Sequence, residues 1–408
     1  MLNVPLVQEK VREKLPSLEE EVKGQPKLCK ELEGIYEALD LASIRDVVKR
    51  EKGITELFRE VAIPVENAKK VKLEQFRRED FASKDWAASV LENYTLIGLD
   101  TSEVRPSIHY SPAFLLVNVG YQLIRYGKGE HKEGSVPFLF TVEEISEESF
   151  DQGFSEWMLE VYRLKLEREV LKELMSKELY ATSPGKISVL LDESLCLSYL
   201  ASRPKGYRVH VAREARSTWN MSYSRGALFA GVYYTGANGF VLSIVRGGIC
   251  FNKPSCSFCM SQAKRAGRLR FLPCVKYSPV RDRFFFNRLL DVGERSPVFK
   301  VSNKVTEDFG LDVYAFYLKV EENNVVRVEF VGKCDKRRVE RLHTVVLAQS
   351  ILGNGYPYVL ERAHEQAVVR SYERRWIYSY ISRLLSERGV EGLAYTSKKE
   401  RMKRGGIA

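Results

Sequence analysis

Long apolar runs are missing from this chain of 408 residues. The longest, such as Ala113–Val119, fall far short of the roughly 20 residues a membrane-spanning helix needs, so no membrane crossing is expected. The opening MLNVPLVQEKVREK lacks the charged-then-apolar order and small-residue cleavage site of a secretory leader, and no amphipathic Arg/Ser-rich transit peptide follows. A cytoplasmic location is therefore expected. No segment repeats at a fixed period. Glutamine is scarce while Glu, Lys and Arg crowd the helical stretches, a usage that resembles heat-loving organisms. Histidine occurs only five times.

The composition itself, 44% hydrophobic and 29% charged, is that of a globular protein with room for two domains or one large domain and an appendage. Lys and Arg exceed Asp and Glu by ten, and the pI near 9.1 favours an anionic partner such as nucleic acid.

Residues 1–90 read as an all-helical arm, with apolar residues three and four apart and charges between them. At YTLIGLDTS the texture changes to short β-branched and aromatic runs, and a sheet is expected to start there. Helical spacing returns through WMLEVYRLKLEREVLKELMSKELY, SPGK interrupts it, and ISVLLD reads as a buried strand. Residues 205–335 mix strand-like runs (GFVLSIVRGG, VYAFYLKVEE, VVRVEFVGK) with a Cys- and Arg-rich loop, and residues 337–388 are mostly helical. The basic tail, residues 396–408, is too polar to pack. The chain thus divides into an arm (1–90), an α/β domain (91–395) carrying an insertion at about 205–335, and the tail.

Asp100 closes the apolar run LIGL and Asp192 closes ISVLL. If those strands are neighbours the two carboxylates converge, and their repulsion calls for a divalent cation, a proton or a basic group. Hard oxygen ligands suit magnesium or manganese. The alternative is that each Asp caps the segment after it, since Asp-Thr-Ser and Asp-Glu-Ser are both good caps. Glu160, Arg163 and Glu167 share one helical face, which is either a third source of carboxylate or a solvated charged surface. In GNGYPYVLERAH, Pro357 keeps Tyr356 out of helix, and His364 follows Tyr356 by eight residues on the first turns of the next helix. A histidine there is a ligand candidate or an ordinary surface residue.

These pieces, in this order, resemble the NurA family of archaeal and bacterial DNA nucleases. The similarity lies in LIGLDTS, the helical acid before ISVLLDES, Asp192 itself, and the Tyr-Pro-His pattern of GYPYVLERAH, across roughly residues 91–380. It implies an RNase H-like mixed sheet in a toroidal homodimer that cuts DNA with Mn2+ or Mg2+, as a 5′-to-3′ exonuclease and single-strand endonuclease. It implies work in DNA end resection beside a HerA-type hexameric ATPase. By motif position Asp100, Asp192 and a helical acid, Glu167 first and Glu160 second, become metal ligands; His364 completes or flanks the site and Tyr356 orients a phosphate or water. The chain departs from the family where Thr101 and Glu193 replace glycines after the two aspartates, and HVAREARSTW stands where a lysine motif is usual.

Outside that resemblance, Cys250, Cys256, Cys259 and Cys274 are spaced as a four-cysteine ligand set for zinc or an iron–sulfur cluster, or as reduced or disulfide-linked cysteines. Around them Lys264, Arg265, Arg268, Arg270, Lys276, Arg281 and Arg283 interleave with Phe271, Tyr277 and Phe284–Phe286. Such a mixture can track a phosphate backbone and stack bases, or it can be a core lined by solvated arginines. Two further readings stay open: a non-catalytic nucleic-acid-binding protein on an RNase H-like scaffold with a cysteine-bound metal as a staple, and an N-terminal arm that docks a partner ATPase.

Overall fold

The computed structural model describes residues 3–50, 60–77, 79, 84–107, 109–147, 156–183, 185–224, 226–234, 239–248, 261–262, 264–267, 274–390 and 395–396. Its main strands are β1 (Val61–Pro64), β2 (Thr95–Val104), β3 (Phe114–Arg125), β4 (Glu130–Thr141), β5 (Ile187–Leu191), β6 (Leu228–Tyr233), β7 (Phe299–Ser302), β8 (Val313–Glu321) and β9 (Asn324–Val331). The chain folds as two compact units, neither continuous in sequence. One comprises Met1–Trp86, Glu193–Ser202 and Gly231–Leu347; the other comprises Ala87–Asp192, Arg203–Ala230 and Ala348–Ala408.

The first unit opens on one helix, Val4–Ala38, that runs through Pro16 and Pro26. Its last turns bury Cys29, Leu32 and Tyr36, whereas Val4, Val7, Val11, Leu15, Leu18 and Val22 stay exposed along its first half. The helical reading of residues 1–90 fails at β1, which pairs antiparallel with β7. Four residues, VAIP, are too few for periodicity to tell strand from helix, and the pairing partner lies some 240 residues away. The sheet continues as β1–β7–β8–β9, every pair antiparallel.

A second correction concerns GFVLSIVRGG, which reads as a strand and forms the helix Phe240–Gly248. The Asp282 carboxylate accepts from Val241 N at 2.8 Å and Leu242 N at 2.9 Å. An anion at a helix start satisfies donors that have no partner within the helix. That partner lies forty residues along the chain, so no local signal marks the helix.

Buried charge holds this unit together. Arg327 pairs with Glu60 at 2.9 Å and Glu329 at 2.5 Å, and all three are buried. Glu329 also accepts from Leu195 N at 2.7 Å, Cys196 N at 3.1 Å and the Tyr233 hydroxyl at 2.7 Å. Fully buried ions persist only when paired and hydrogen-bonded in this way.

His343 is also fully buried, with Nε2 bonded to Gly293 O at 2.9 Å. Burial, helped by the Arg295 charge, pushes its pKa from the ordinary 6.5 down to about 3. The unfolded chain therefore binds a proton that the folded one refuses. The stability due to neutral His343 is present above pH 6.5 and is lost as pH falls toward 3, by about 1.4 kcal/mol per pH unit. Urea titrations from pH 7 to 4 should show a shallower loss in His343→Gln than in the native chain; parallel curves would contradict the assignment.

In the second unit the strands run β6–β5–β2–β3–β4, with Leu228–Ala230 of β6 belonging to this unit. β2, β3 and β4 are consecutive and antiparallel. The 26-residue helix Glu156–Ala181 then carries the chain to β5, which lies parallel to β2. β5 is buried at all five positions and β2 at its first five, as strands covered on both faces must be. β4, at the edge, alternates between exposed and half-buried residues from Glu133 to Thr141.

A candidate active site on two parallel strands

The register of β2 and β5 brings the two aspartates together. Leu99 pairs with Leu191, so Asp100, midway along β2, and Asp192, just past the end of β5, are the next residues along two parallel neighbours and lie side by side. The protein around Asp192 strips water from its carboxyl and pushes it above the usual carboxylate range, although the residue keeps an exposed face. A hydrogen bond from Tyr356 pulls the other way, the negative charge of Asp100 adds to the rise, and His364 and Arg163 oppose it.

His364 closes on the other carboxylate. Its Nδ1 is 2.6 Å from Asp100 Oδ2, while the Thr101 amide donates to Asp100 Oδ1 at 2.7 Å. The helix that carries it, Tyr358–Ala367, lies against β2 and β3 because two strand positions have no side chain. A Cβ on Gly98 would stand 2.5 Å from Val359 O, and one on Gly120 would stand 2.3 Å from Ala367 N and 2.4 Å from Ala363 O. Gly120 is the register partner of Asp100, so the slot opens beside the carboxylate that the histidine reaches.

Both ends of this helix are tied down. Gln349 Oε1 accepts from Val359 N at 3.0 Å, with its amide nitrogen donating to the Tyr126 hydroxyl at 2.7 Å. At the other end Asn118 Nδ2 donates to Ala367 O at 2.8 Å, and the Ser102 hydroxyl donates to the same carbonyl. Ser102 and Asn118 are themselves register partners on β2 and β3.

Of the two helical acids, Glu167 is buried and accepts from the Thr101 hydroxyl at 3.4 Å. Thr101, which stands where the resemblance expects glycine, thus supplies a contact that glycine could not. Glu160 turns instead to Arg203, at 3.9 Å. Glu193 lies in the other unit, where its carbonyl would sit 2.1 Å from a Cβ on Gly231.

Sequence reasoning did not single out Gly98, Gly120, Ser102, Asn118 and Gln349. Glycine inside a strand is the one signal that could have pointed to the close helix.

Residues 170–369 match the family model described as the NurA domain. The chain carries a NurA domain. The match contains β5, Asp192, Tyr356 and His364, and it leaves Asp100 and Glu167 to its N-terminal side. No curated relative matches the chain in sequence. The crystal structure of the NurA nuclease from Sulfolobus solfataricus is similar at 12% identity and a TM-score of 0.47, covering 76% of this chain and 92% of that one. A crystal structure of NurA with manganese is similar at 10% identity and a TM-score of 0.35, covering 84% and 98%. One of NurA bound to dAMP and manganese is similar at 9% identity and a TM-score of 0.30, covering 70% and 86%.

In this NurA-domain chain the donor chemistry suits a hard divalent cation: two neighbouring carboxylates repel each other, Asp192 is raised in part by that repulsion, and a third carboxylate and an imidazole are at hand. Among the described residues no three such side chains converge on one point. His364 bonds Asp100 through Nδ1 and Glu167 accepts from Thr101; an imidazole held through Nδ1 can still ligate through Nε2, and a carboxylate can accept a hydrogen bond while it binds a cation.

Cys250, Cys256, Cys259, Arg268 and Arg270 lie outside the described residues. Cys274 is half-buried in the first unit, and Arg265 is exposed. Arg281 precedes the helix Asp282–Leu289, and the Arg283 guanidinium lies 4.9 Å from the ring centre of Tyr234. Phe285 and Phe286 are buried in the core, Phe284 is exposed, and Lys276 and Tyr277 both bond Glu31. Among the described residues no helix is long and apolar enough to cross a membrane.

Proposed function

We propose that this chain is a metal-dependent DNA nuclease that hydrolyses phosphodiester bonds at the Asp100–Asp192 cluster. The observation that carries the reading is the parallel register of β2 and β5, which brings both aspartates side by side with His364 on one carboxylate and Tyr356 on the other. Asp100, Asp192 and Glu167 would hold Mn2+ or Mg2+, with His364 completing the set. A bound cation supplies an activated water and charge neutralisation at the leaving oxygen. Tyr356 offers a phenol beside Asp192 to orient a phosphate or water, and Arg163 brings positive charge to the same carboxylate. His364 is placed to hold or pass a proton at Asp100 Oδ2.

The finer reading follows the family. The run of three antiparallel strands, a crossover helix and a parallel strand beside the first supports an RNase H-like core. The reading extends to 5′-to-3′ exonuclease and single-strand endonuclease action in cytoplasmic DNA end resection, in a homodimer served by a HerA-type hexameric ATPase. The exposed apolar stripe on Val4–Val22 supports an assembly surface on that helix. Zinc or an iron–sulfur cluster at Cys250, Cys256, Cys259 and Cys274, and DNA contacts by Arg265, Arg268, Arg270, Arg281 and Arg283, belong to the same proposal.

The test is cleavage of end-labelled single- and double-stranded DNA with Mn2+, with Mg2+ and with EDTA. Cutting with either cation and none in EDTA is expected. Cutting that persists in EDTA would overturn the metal, and tight salt-sensitive binding without cutting under any cation would favour the non-catalytic scaffold.

A further inference from the structure

The helix Ser371–Glu387 packs on the second unit by one face only. Tyr378 is buried among Val104, Phe114 and Leu116, stacked on Tyr110 at 3.6 Å, with Ile377 and Ile381 beside it. About 200° around the helix, Tyr372, Trp376 and Tyr380 follow one another four residues apart and are 56%, 62% and 39% exposed. Trp376 and Tyr380 stack nearly parallel, 5.2 Å between centres and 9° between planes, and the Arg383 guanidinium stands 5.2 Å from the Tyr380 centre. Between Trp376 and the Arg383 guanidinium, Tyr380 braces the indole, which offers its solvent-facing surface to a flat partner.

Charge selects the partner. Residues 370–388 hold five arginines, Arg388 included, against two glutamates. Glu373 accepts from the Arg370 amide at the helix start and Glu387 lies 3.7 Å from Arg383, so arginine dominates the exposed shelf. A second copy of this face would oppose arginine to arginine across a two-fold axis. A strand of nucleic acid brings phosphates for the arginines and a π-face for the rings.

We infer that Trp376 and Tyr380, flanked by Arg374, Arg375 and Arg383, form a stacking shelf for the bases of single-stranded DNA. The choice of DNA rests on the proposed nuclease reading. The shelf would hold the strand by ring faces without reading sequence, and it uses none of the site residues described above.

The experiment is fluorescence anisotropy of labelled oligo(dT) and of an abasic strand of the same length on the full chain, in EDTA so that no cutting intervenes. Trp376→Ala with Tyr380→Ala should weaken oligo(dT) binding roughly five- to a hundredfold and leave abasic binding almost unchanged, while Trp376→Phe should restore most of the loss. Adding unlabelled oligo(dT) to the native chain should quench tryptophan emission. Unchanged oligo(dT) affinity in the double variant, or an equal loss on the abasic strand, would overturn the shelf. A change of oligomeric state in the double variant with no base-dependent loss would also overturn it and assign the face to another copy of the chain. Binding through Trp376 by a protein that cuts no DNA would keep the shelf and remove the nuclease reading.

Discussion

Asp192→Asn should abolish DNA cleavage and, in metal-free buffer, raise the thermal midpoint. The loss follows if the cation supplies several kcal/mol of charge stabilisation, since 1.36 kcal/mol is tenfold in rate and about a thousandfold or greater drop results. The gain follows from the position of the charge. Burial and the neighbouring Asp100 raise the Asp192 carboxyl, so the folded protein binds that proton more tightly than the unfolded chain. Ionisation above the ordinary aspartate range therefore costs folding stability, and the cost grows as pH rises through the interval up to the raised value. The amide removes the charge and keeps an oxygen for the Tyr356 hydroxyl. Scanning calorimetry with EDTA near pH 7 would show the shift, and end-labelled DNA would show the loss. A variant that cuts normally, or one that loses activity by unfolding, would contradict this account of Asp192.

Gly120→Val should cost stability and activity together. The added side chain meets backbone on two sides, 2.3 Å from Ala367 N and 2.4 Å from Ala363 O, and backbone cannot swing away as a side chain can. Overpacking of this kind typically costs about 1–3 kcal/mol, and here relief requires the His364 helix to lift from the sheet. That motion breaks the bonds of Ala367 O to Asn118 and Ser102 and withdraws His364 from Asp100. Urea unfolding should shift by at least the lower bound, and cleavage should fall more than the unfolded fraction explains. Gly34→Ala is the control, because its Cβ meets nothing within 4 Å in a helix interior and should gain roughly 0.5–1 kcal/mol. Equal behaviour of the two variants would show that the glycine slot does not position the histidine.

How far the site was legible follows from these residues. An acid at the end of a buried run is a local pattern, and Asp100 and Asp192 are readable as such. Their convergence is not, because it depends on β2 and β5 being parallel neighbours with Leu99 opposite Leu191. The shared face of Glu160, Arg163 and Glu167 follows from helical period alone. What distinguishes the two acids, the Thr101 hydroxyl at Glu167 and Arg203 at Glu160, comes from distant segments. The glycine slot was hidden for the same reason, since Gly120 is informative only beside Ala363 and Ala367.

The fold divides along the same line. Helical period carried Glu156–Ala181 and alternating or buried apolar runs carried β2, β3 and β5. The helix Phe240–Gly248 escaped because Asp282, its anionic cap, is forty residues away. The interleaving of two units through Glu193–Ser202 leaves no compositional trace, since the ties of that segment are to Glu329 and Asn303.

The central claim is that the carboxylates of Asp100 and Asp192 hold a divalent cation, and Mn2+ uptake measures it without reference to turnover. Manganese should be titrated into the full native chain and into an Asp100→Asn, Asp192→Asn double variant, following the free-ion electron paramagnetic resonance signal, with far-UV circular dichroism to show that both are folded. The account predicts that the native chain depletes the free signal at stoichiometric manganese and that the folded double variant does not. Equal uptake by the two proteins would place the cation elsewhere and contradict the assignment of Asp100 and Asp192 as its ligands.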